Sequence, residues 1–140
     1  VYASDRVLTL DVALCIAQGV ASAAGHLHAC GLMHGDLYGH NILVDATGAC
    51  FLGDFGAAAF LPTDDPDMTQ ALQRLEVRAF GILLGELLAL YERFTTQTHS
   101  FTSILAALDV LQQQCTQKAV SRRPVFEDIE RQLTALMSSI

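Results

Sequence analysis

The sequence predicts a mainly α-helical domain, α+β overall, carrying one short β-hairpin. Three observations support this. Apolar residues recur at helical spacing in four separate stretches, two apolar triplets flank a turn-forming tetrapeptide, and Gly-containing polar loops lie on both sides of that pair. At 140 residues, half of them hydrophobic, one compact domain with its own core is the expected organisation.

The first helix is expected from about Leu10 to Cys30. Thr9 is placed to cap it, Val12, Ile16, Val20, Ala23, Ala24 and Leu27 form its apolar face, and Gly31 supplies a left-handed stop. The triplets Ile42 to Val44 and Cys50 to Leu52 read as paired strands, with Asp45 to Gly48 as their turn. Gly53 to Asp67 has four Asp and no periodicity, which predicts a mobile loop. A long helix is predicted from about Met68 to Arg93, with Leu72, Leu75, Ala79, Leu83, Leu87 and Leu90 as a core stripe, ended by a polar loop from Thr95 to Ser100. Helices at about Phe101 to Gln117 and Val125 to Met137 complete the plan.

A net charge of −7 with only eight Lys and Arg argues against nucleic acid as a partner. No apolar run reaches the roughly 18 uninterrupted positions of a membrane span, so no membrane partner is expected. Cys15, Cys30, Cys50 and Cys115 sit among apolar neighbours with no C-x-x-C pair and read as small buried hydrophobes in a reducing compartment, hence a cytoplasmic location. His26 and His28, two apart on a helix, cannot both face one ion. The start at Val1 suggests a piece of a longer protein.

The chemistry concentrates in His34-Gly-Asp-Leu-Tyr-Gly-His-Asn41 before the hairpin and Gly53-Asp-Phe-Gly56 after it. A hairpin would bring these loops to one end. Asn41 and Asp54 could there hold a hard, oxygen-seeking cation while Asp36 orients a hydroxyl. Metal charge and positioning are what phosphoryl transfer requires.

These residues resemble the protein-kinase catalytic loop, His-Arg-Asp followed five residues after the Asp by Asn, and the later Asp-Phe-Gly motif. Leu27-His28, Phe80 to Leu84 and Arg123-Pro124 look like further large-lobe counterparts, so the resemblance covers nearly the whole chain as a protein-kinase-like C-terminal lobe, residues 1–140, without the N-terminal lobe. The wording HGDLYGHNIL and LGDFGAA looks closest to bacterial kinase-like domains joined to leucine-rich repeats. The resemblance implies an ATP- and Mg2+-dependent phosphotransferase of serine/threonine protein-kinase type. It assigns Asp36 as the catalytic residue, Asn41 and Asp54 as magnesium ligands, and Leu43 as part of the floor under adenine. His34 would support the loop from the core, Phe55 would pack toward the smaller lobe, and Glu76 would hold the catalytic-loop backbone.

Some positions depart from that pattern. Gly35 replaces the Arg that pairs with a phosphorylated activation loop, and Tyr38 replaces the Lys that steadies the transferred phosphate. Only 22 positions separate Asp54 from Glu76, with no Ala-Pro-Glu motif, so Arg123 lacks its usual partner and Asp64, Asp65 or Asp67 becomes the candidate. Tyr38 is expected to pack within its loop. A Gly-rich loop, strand Lys and helix Glu are missing, so this piece alone should bind ATP poorly, expose an apolar seam and be inactive. The phosphoacceptor is a protein or a small molecule. His-Gly-Asp also resembles the aminoglycoside and choline phosphotransferases, and the missing Lys leaves a pseudokinase scaffold as a third possibility.

Overall fold

The computed structural model describes residues 8–45, 49–94 and 101–140, with side chains 93–94 excepted. The chain runs α1 (Leu10–Ala29), β1 (Leu32–Met33), β2 (Ile42–Val44), β3 (Cys50–Leu52), β4 (Ala59–Phe60), α2 (Pro66–Phe94), α3 (Thr102–Cys115) and α4 (Phe126–Met137). The mainly helical plan with one hairpin is borne out. The tip of the predicted turn, 46–48, and the predicted loop 95–100 lie outside the described residues.

Each helix has a local cause. Thr9 is the N-cap residue of α1 but makes no capping bond to the backbone. Its hydroxyl instead bonds the carboxylate of Asp11, holding that carboxyl below the usual range. α1 ends one residue earlier than expected, and Gly31 follows at φ +75°, the left-handed stop predicted for it. α2 begins two residues ahead of the expected Met68, at Pro66, a residue suited to the first helical position. Asp65 caps it, its Oδ1 accepting the amide of Met68 at 3.1 Å.

The core lies where α1 meets α4, α2 and the hairpin, and where α2 meets α3. Leu14, Ala17, Val20, Ala21 and Ala24 of α1 are buried against Val77, Phe80, Leu84 and Leu87 of α2 and Ile129 and Leu133 of α4, all within one cluster. The Phe80 and Phe126 rings meet edge to face at 5.7 Å. α1 is long and apolar enough in composition to cross a membrane, but its buried side is packed into this core.

Three expectations change. The buried stripe of α2 runs through Val77, Phe80, Leu84, Leu87 and Tyr91, with Leu83 alongside, whereas Leu75 is 55% exposed. The helix is apolar on more than one side, so spacing alone did not fix which stripe faces inward. The segment after Gly53 is not loop throughout. A single 3-10 turn at Phe55–Ala57 leads into β4, which pairs antiparallel with β1 in the register Leu32↔Phe60 and Met33↔Ala59. Of the cysteines only Cys115 is buried, with its thiol pushed up to about 12 by desolvation; Cys15 and Cys50 are half-buried and Cys30 is exposed at the end of α1.

Candidate functional site

β2 and β3 pair as predicted, in the register Ile42↔Leu52, Leu43↔Phe51 and Val44↔Cys50. Asp45 and Ala49 close the hairpin, the amide of Asp45 donating to the Ala49 carbonyl at 2.9 Å. At the other end, the Gly53 amide donates to the Asn41 carbonyl at 2.8 Å. Asn41 therefore sits beside the residue that precedes Asp54, and the two Gly-containing loops meet at one end of the ribbon.

His34 joins the loops from beneath. It is fully buried, and its Nδ1 accepts the Asp36 amide at 3.1 Å while its Nε2 lies 2.8 Å from the Gly53 carbonyl. A carbonyl only accepts, so Nε2 carries the proton and the ring is the neutral tautomer that both contacts demand. The Phe55 ring lies edge-on to it at 5.0 Å. Asn41, also buried, donates through Nδ2 to the Asp36 carbonyl at 2.8 Å and to Asp36 Oδ2 at 3.0 Å. One unbroken hydrogen-bonded path thus runs from Asp36 through Asn41 to Gly53, the neighbour of Asp54.

Glu76 of α2 anchors this assembly. Its carboxylate is buried, accepts the His34 amide at 3.0 Å through Oε1 and the Gly35 amide at 2.7 Å through Oε2, and lies 2.9 Å from His28 Nε2. Burial alone would raise its pKa; the bonds from His28, Gly35 and His34 outweigh that and hold it below the ordinary value. The expectation that Glu76 grips the catalytic-loop backbone is met in its geometry, and His28, itself packed against Phe126 at 5.1 Å, completes the grip from α1.

Gly35 has a structural reason as well as a missing charge. It adopts φ +82°, and a Cβ there would collide with the carbonyl oxygen of Ala57 in the segment after Asp54. Asp54 is the one non-glycine with positive φ among the described residues, at 52°, with its exposed carboxylate accepting the Gly56 amide at 3.3 Å. Backbone held in this region is costly and concentrates at functional sites.

The outer side of the site is apolar and open. Leu43 is 66% exposed, and its cross-strand partner Phe51 is exposed too, as is Phe55 in the loop beyond the hairpin. Tyr38 does not pack inside its loop as expected; it is exposed, with its ring stacked on His40 at 5.5 Å. Arg123 does not reach the aspartates. It is buried, donating to the Gln117 carbonyl at 2.8 Å and the Arg74 carbonyl at 3.1 Å, while Arg74 donates to the Arg123 carbonyl at 2.8 Å. Carbonyls bonding an arginine's fork leave no trace in the sequence, and Asp65 is already engaged as the α2 cap.

The donor set suits magnesium. Among the described residues no cluster of three His, Cys, Asp or Glu could hold a metal. Magnesium takes one or two protein oxygens and completes its octahedron with water and phosphate, so such a cluster is not needed. Asn41 spends its NH2 on Asp36, which presents its carbonyl oxygen as the remaining donor, next to the loop that carries the Asp54 carboxylate.

A family model described as protein tyrosine and serine/threonine kinase matches residues 2–81. Among curated proteins, the chain is 29% identical over 126 residues to leaf rust 10 disease-resistance locus receptor-like protein kinase-like 1.3 of Arabidopsis thaliana, covering 77% of this chain and 18% of that protein. It is 36% identical over 72 residues to a probable serine/threonine-protein kinase of the same plant, covering 51% and 13%. A probable leucine-rich repeat receptor-like protein kinase of Arabidopsis is 30% identical over 96 residues, covering 60% and 14%. The chain spans less than a fifth of the length of these relatives, which are plant proteins where a bacterial likeness was expected.

Proposed function

Since the chain belongs to the protein tyrosine and serine/threonine kinase family, we propose that it is the larger lobe of an ATP- and Mg2+-dependent protein kinase acting on serine or threonine. The observation that carries this is the hydrogen-bonded path that gathers Asp36, Asn41 and the Asp54 loop at one end of the hairpin.

Asp36 orients the acceptor hydroxyl and takes its proton. The hydroxyl oxygen bonds the γ-phosphorus, the bond from that phosphorus to the β–γ bridging oxygen breaks, and ADP leaves with the electron pair. Asn41 and Asp54 would hold the metal. Magnesium, when bound, neutralises charge on the phosphates. Asn41 also fixes the Asp36 carboxylate through Oδ2, His34 fixes its backbone, and Glu76 fixes both against α2. Leu43 and Phe51 offer an apolar floor to adenine. That exposed edge, with Phe55, supports cover by a smaller lobe elsewhere in the same protein, and ATP as donor suits a cytoplasmic setting.

The segment between Asp54 and Glu76 is too short for the usual peptide-docking elements, and Gly35 removes the arginine that would read its phosphorylation. Control by phosphorylation of this segment is therefore not part of the proposal. A scaffold without turnover is the second reading, favoured by Tyr38, which brings no cation to the phosphate. The two part on one experiment. Full-length protein with ATP and Mg2+ should transfer phosphate to a protein acceptor, and Asp54→Ala should reduce transfer roughly 10³-fold; equal phosphate incorporation by wild type and Asp54→Ala would leave the scaffold.

A further inference from the structure

Five of the eight Lys and Arg in this chain, Arg74, Arg78, Lys118, Arg122 and Arg123, fall in two short stretches, and none occurs between Arg6 and Arg74. The fold brings the two stretches together. Arg74 and Arg78 stand one turn apart on α2, and residues 116–125 connect α3 to α4. Arg74 donates through Nε to the Arg123 carbonyl at 2.8 Å, and Arg123 returns a bond through Nη1 to the Arg74 carbonyl at 3.1 Å. Gly81, seven residues beyond Arg74 on the same helical face, lies so close to the start of this connection that a Cβ would approach Cys115 and Thr116 at 2.7 and 2.8 Å. The connection therefore runs along α2 from Gly81 to Arg74, and Arg78 lies between them.

This patch has no counter-charge of its own. Arg123 is only 7% exposed, and it donates to the carbonyls of Gln117 and Arg74. Among the described residues, none of the five has a carboxylate within salt-bridge reach: Glu76 is taken by His28, and Glu127 and Asp128 by Arg131. Asp36 and Glu86 line one cleft with Arg78 without pairing with it. A buried cation held by dipoles alone keeps its charge, and protein screens that charge less than water does. Arg78, Lys118 and Arg122 are exposed. The rest of the chain sets fifteen carboxylates against three cations, so the patch is a positive island on a negative protein.

We propose that this patch docks an acidic segment of a partner polypeptide, one in which Asp or Glu recurs at about every second position. Charge complementarity selects the class. Four of the five cations are arginines, whose planar fork matches a carboxylate in two-point contact. Alternate side chains of an extended strand repeat about every 6.6 Å, close to the rise of about 6 Å over one turn from Arg74 to Arg78. Cations spread over α2 and the connection suit several carboxylates better than one phosphate. A nucleic-acid strand would run on past the patch onto the carboxylate-rich remainder and be repelled. Docking here is separate from the acceptor hydroxyl at Asp36 and needs no turnover.

The test follows the fluorescence anisotropy of a labelled dodecapeptide of alternating Glu and Ser as full-length protein is added, at low and at physiological ionic strength. Beside it run the same peptide with Gln for Glu, that Gln peptide carrying one phosphoserine, and a single-stranded dodecanucleotide. The Glu peptide should bind more tightly than the Gln peptide and weaken as salt rises. The triple variant Arg78→Gln, Lys118→Gln, Arg122→Gln changes exposed positions, leaves the Arg74–Arg123 bonds in place and should weaken its binding about tenfold. Each single variant should weaken it about twofold, and these carry the test should the triple variant fail to fold. No preference for the Glu peptide over the Gln peptide, affinity unchanged in every variant, or tighter binding of the phosphoserine peptide or the oligonucleotide would overturn the proposal.

Discussion

The loop from His34 to Asn41 and the segment from Asp54 to Asp65 face each other across the same site, but they are held in opposite ways. The first is fastened at both ends: Glu76 takes the amides of His34 and Gly35, His34 takes that of Asp36, and Asn41 binds both the backbone and the carboxylate of Asp36. The second is exposed from Asp54 to Phe60, and β4 holds it to β1 by only two residue pairs. On the proposed function, the difference would separate two tasks of a phosphotransferase. The group that meets the acceptor hydroxyl needs fixed geometry, because small displacements cost rate steeply, whereas a segment that admits substrate must leave room. Here rigidity is supplied from below, by α1 and α2, and not from the segment above.

The strongest way to break that contrast is to remove the anchor. Glu76→Ala leaves the buried His34 amide, the Gly35 amide and His28 without their acceptor and should destabilise the full-length protein by about 3 kcal/mol in urea unfolding. A loss under about 1 kcal/mol would mean that the loop is held by other contacts. Gly35→Ala strains a φ of +82° and drives a methyl into the Ala57 carbonyl. A cost of about 2 kcal/mol is expected, together with reduced transfer, since this contact is where the fastened loop touches the open segment.

Acid should act on the same anchor more gently. Glu76 has its folded pKa held below the ordinary 4.5 despite burial, which opposes ionisation, because His28 and the amides of Gly35 and His34 favour the carboxylate. A depressed carboxyl contributes stability that is fully present above the unfolded value and is lost as pH falls through the folded one. Unfolding free energy should therefore decline below about pH 4.5, and Glu76→Gln should flatten that decline. A Glu76→Gln curve parallel to wild type would place the acid sensitivity elsewhere.

How far the sequence disclosed this site depended on whether a residue's role needs a motif or only a neighbour. Asp36, Asn41 and Asp54 stand in motifs on either side of the predicted hairpin, so the meeting of their two loops was legible. Glu76 was legible as a carboxylate in the position of an anchor, although its partnership with His28 spans 48 residues and only the fold brings it about. The β1–β4 pair was not legible, since a two-residue strand has no alternation to detect. Nor was the inward face of α2: Leu75 fits a helical core stripe as well as Val77 and Phe80 do, and only the packing of α2 against α1 and α3 decides which face is buried.

The smallest effect is expected where the contrast predicts freedom. Phe60 is 85% exposed, the most exposed large apolar residue described, and it lies on β4 in the open segment. Its backbone pairs with Leu32, so a side-chain change leaves the ladder intact. In this fold Phe60→Ser removes almost no buried area, and unfolding should shift by less than about 0.5 kcal/mol. In the full-length protein the same substitution measures whether anything covers the segment, because burying a phenylalanine is worth roughly 1.5–3 kcal/mol. A loss of that size would show that β4 is a seat for another part of the protein or for a partner, and the openness seen at Asp54 to Phe60 would then belong to this lobe alone; an unchanged midpoint would make the open segment a property of the whole protein.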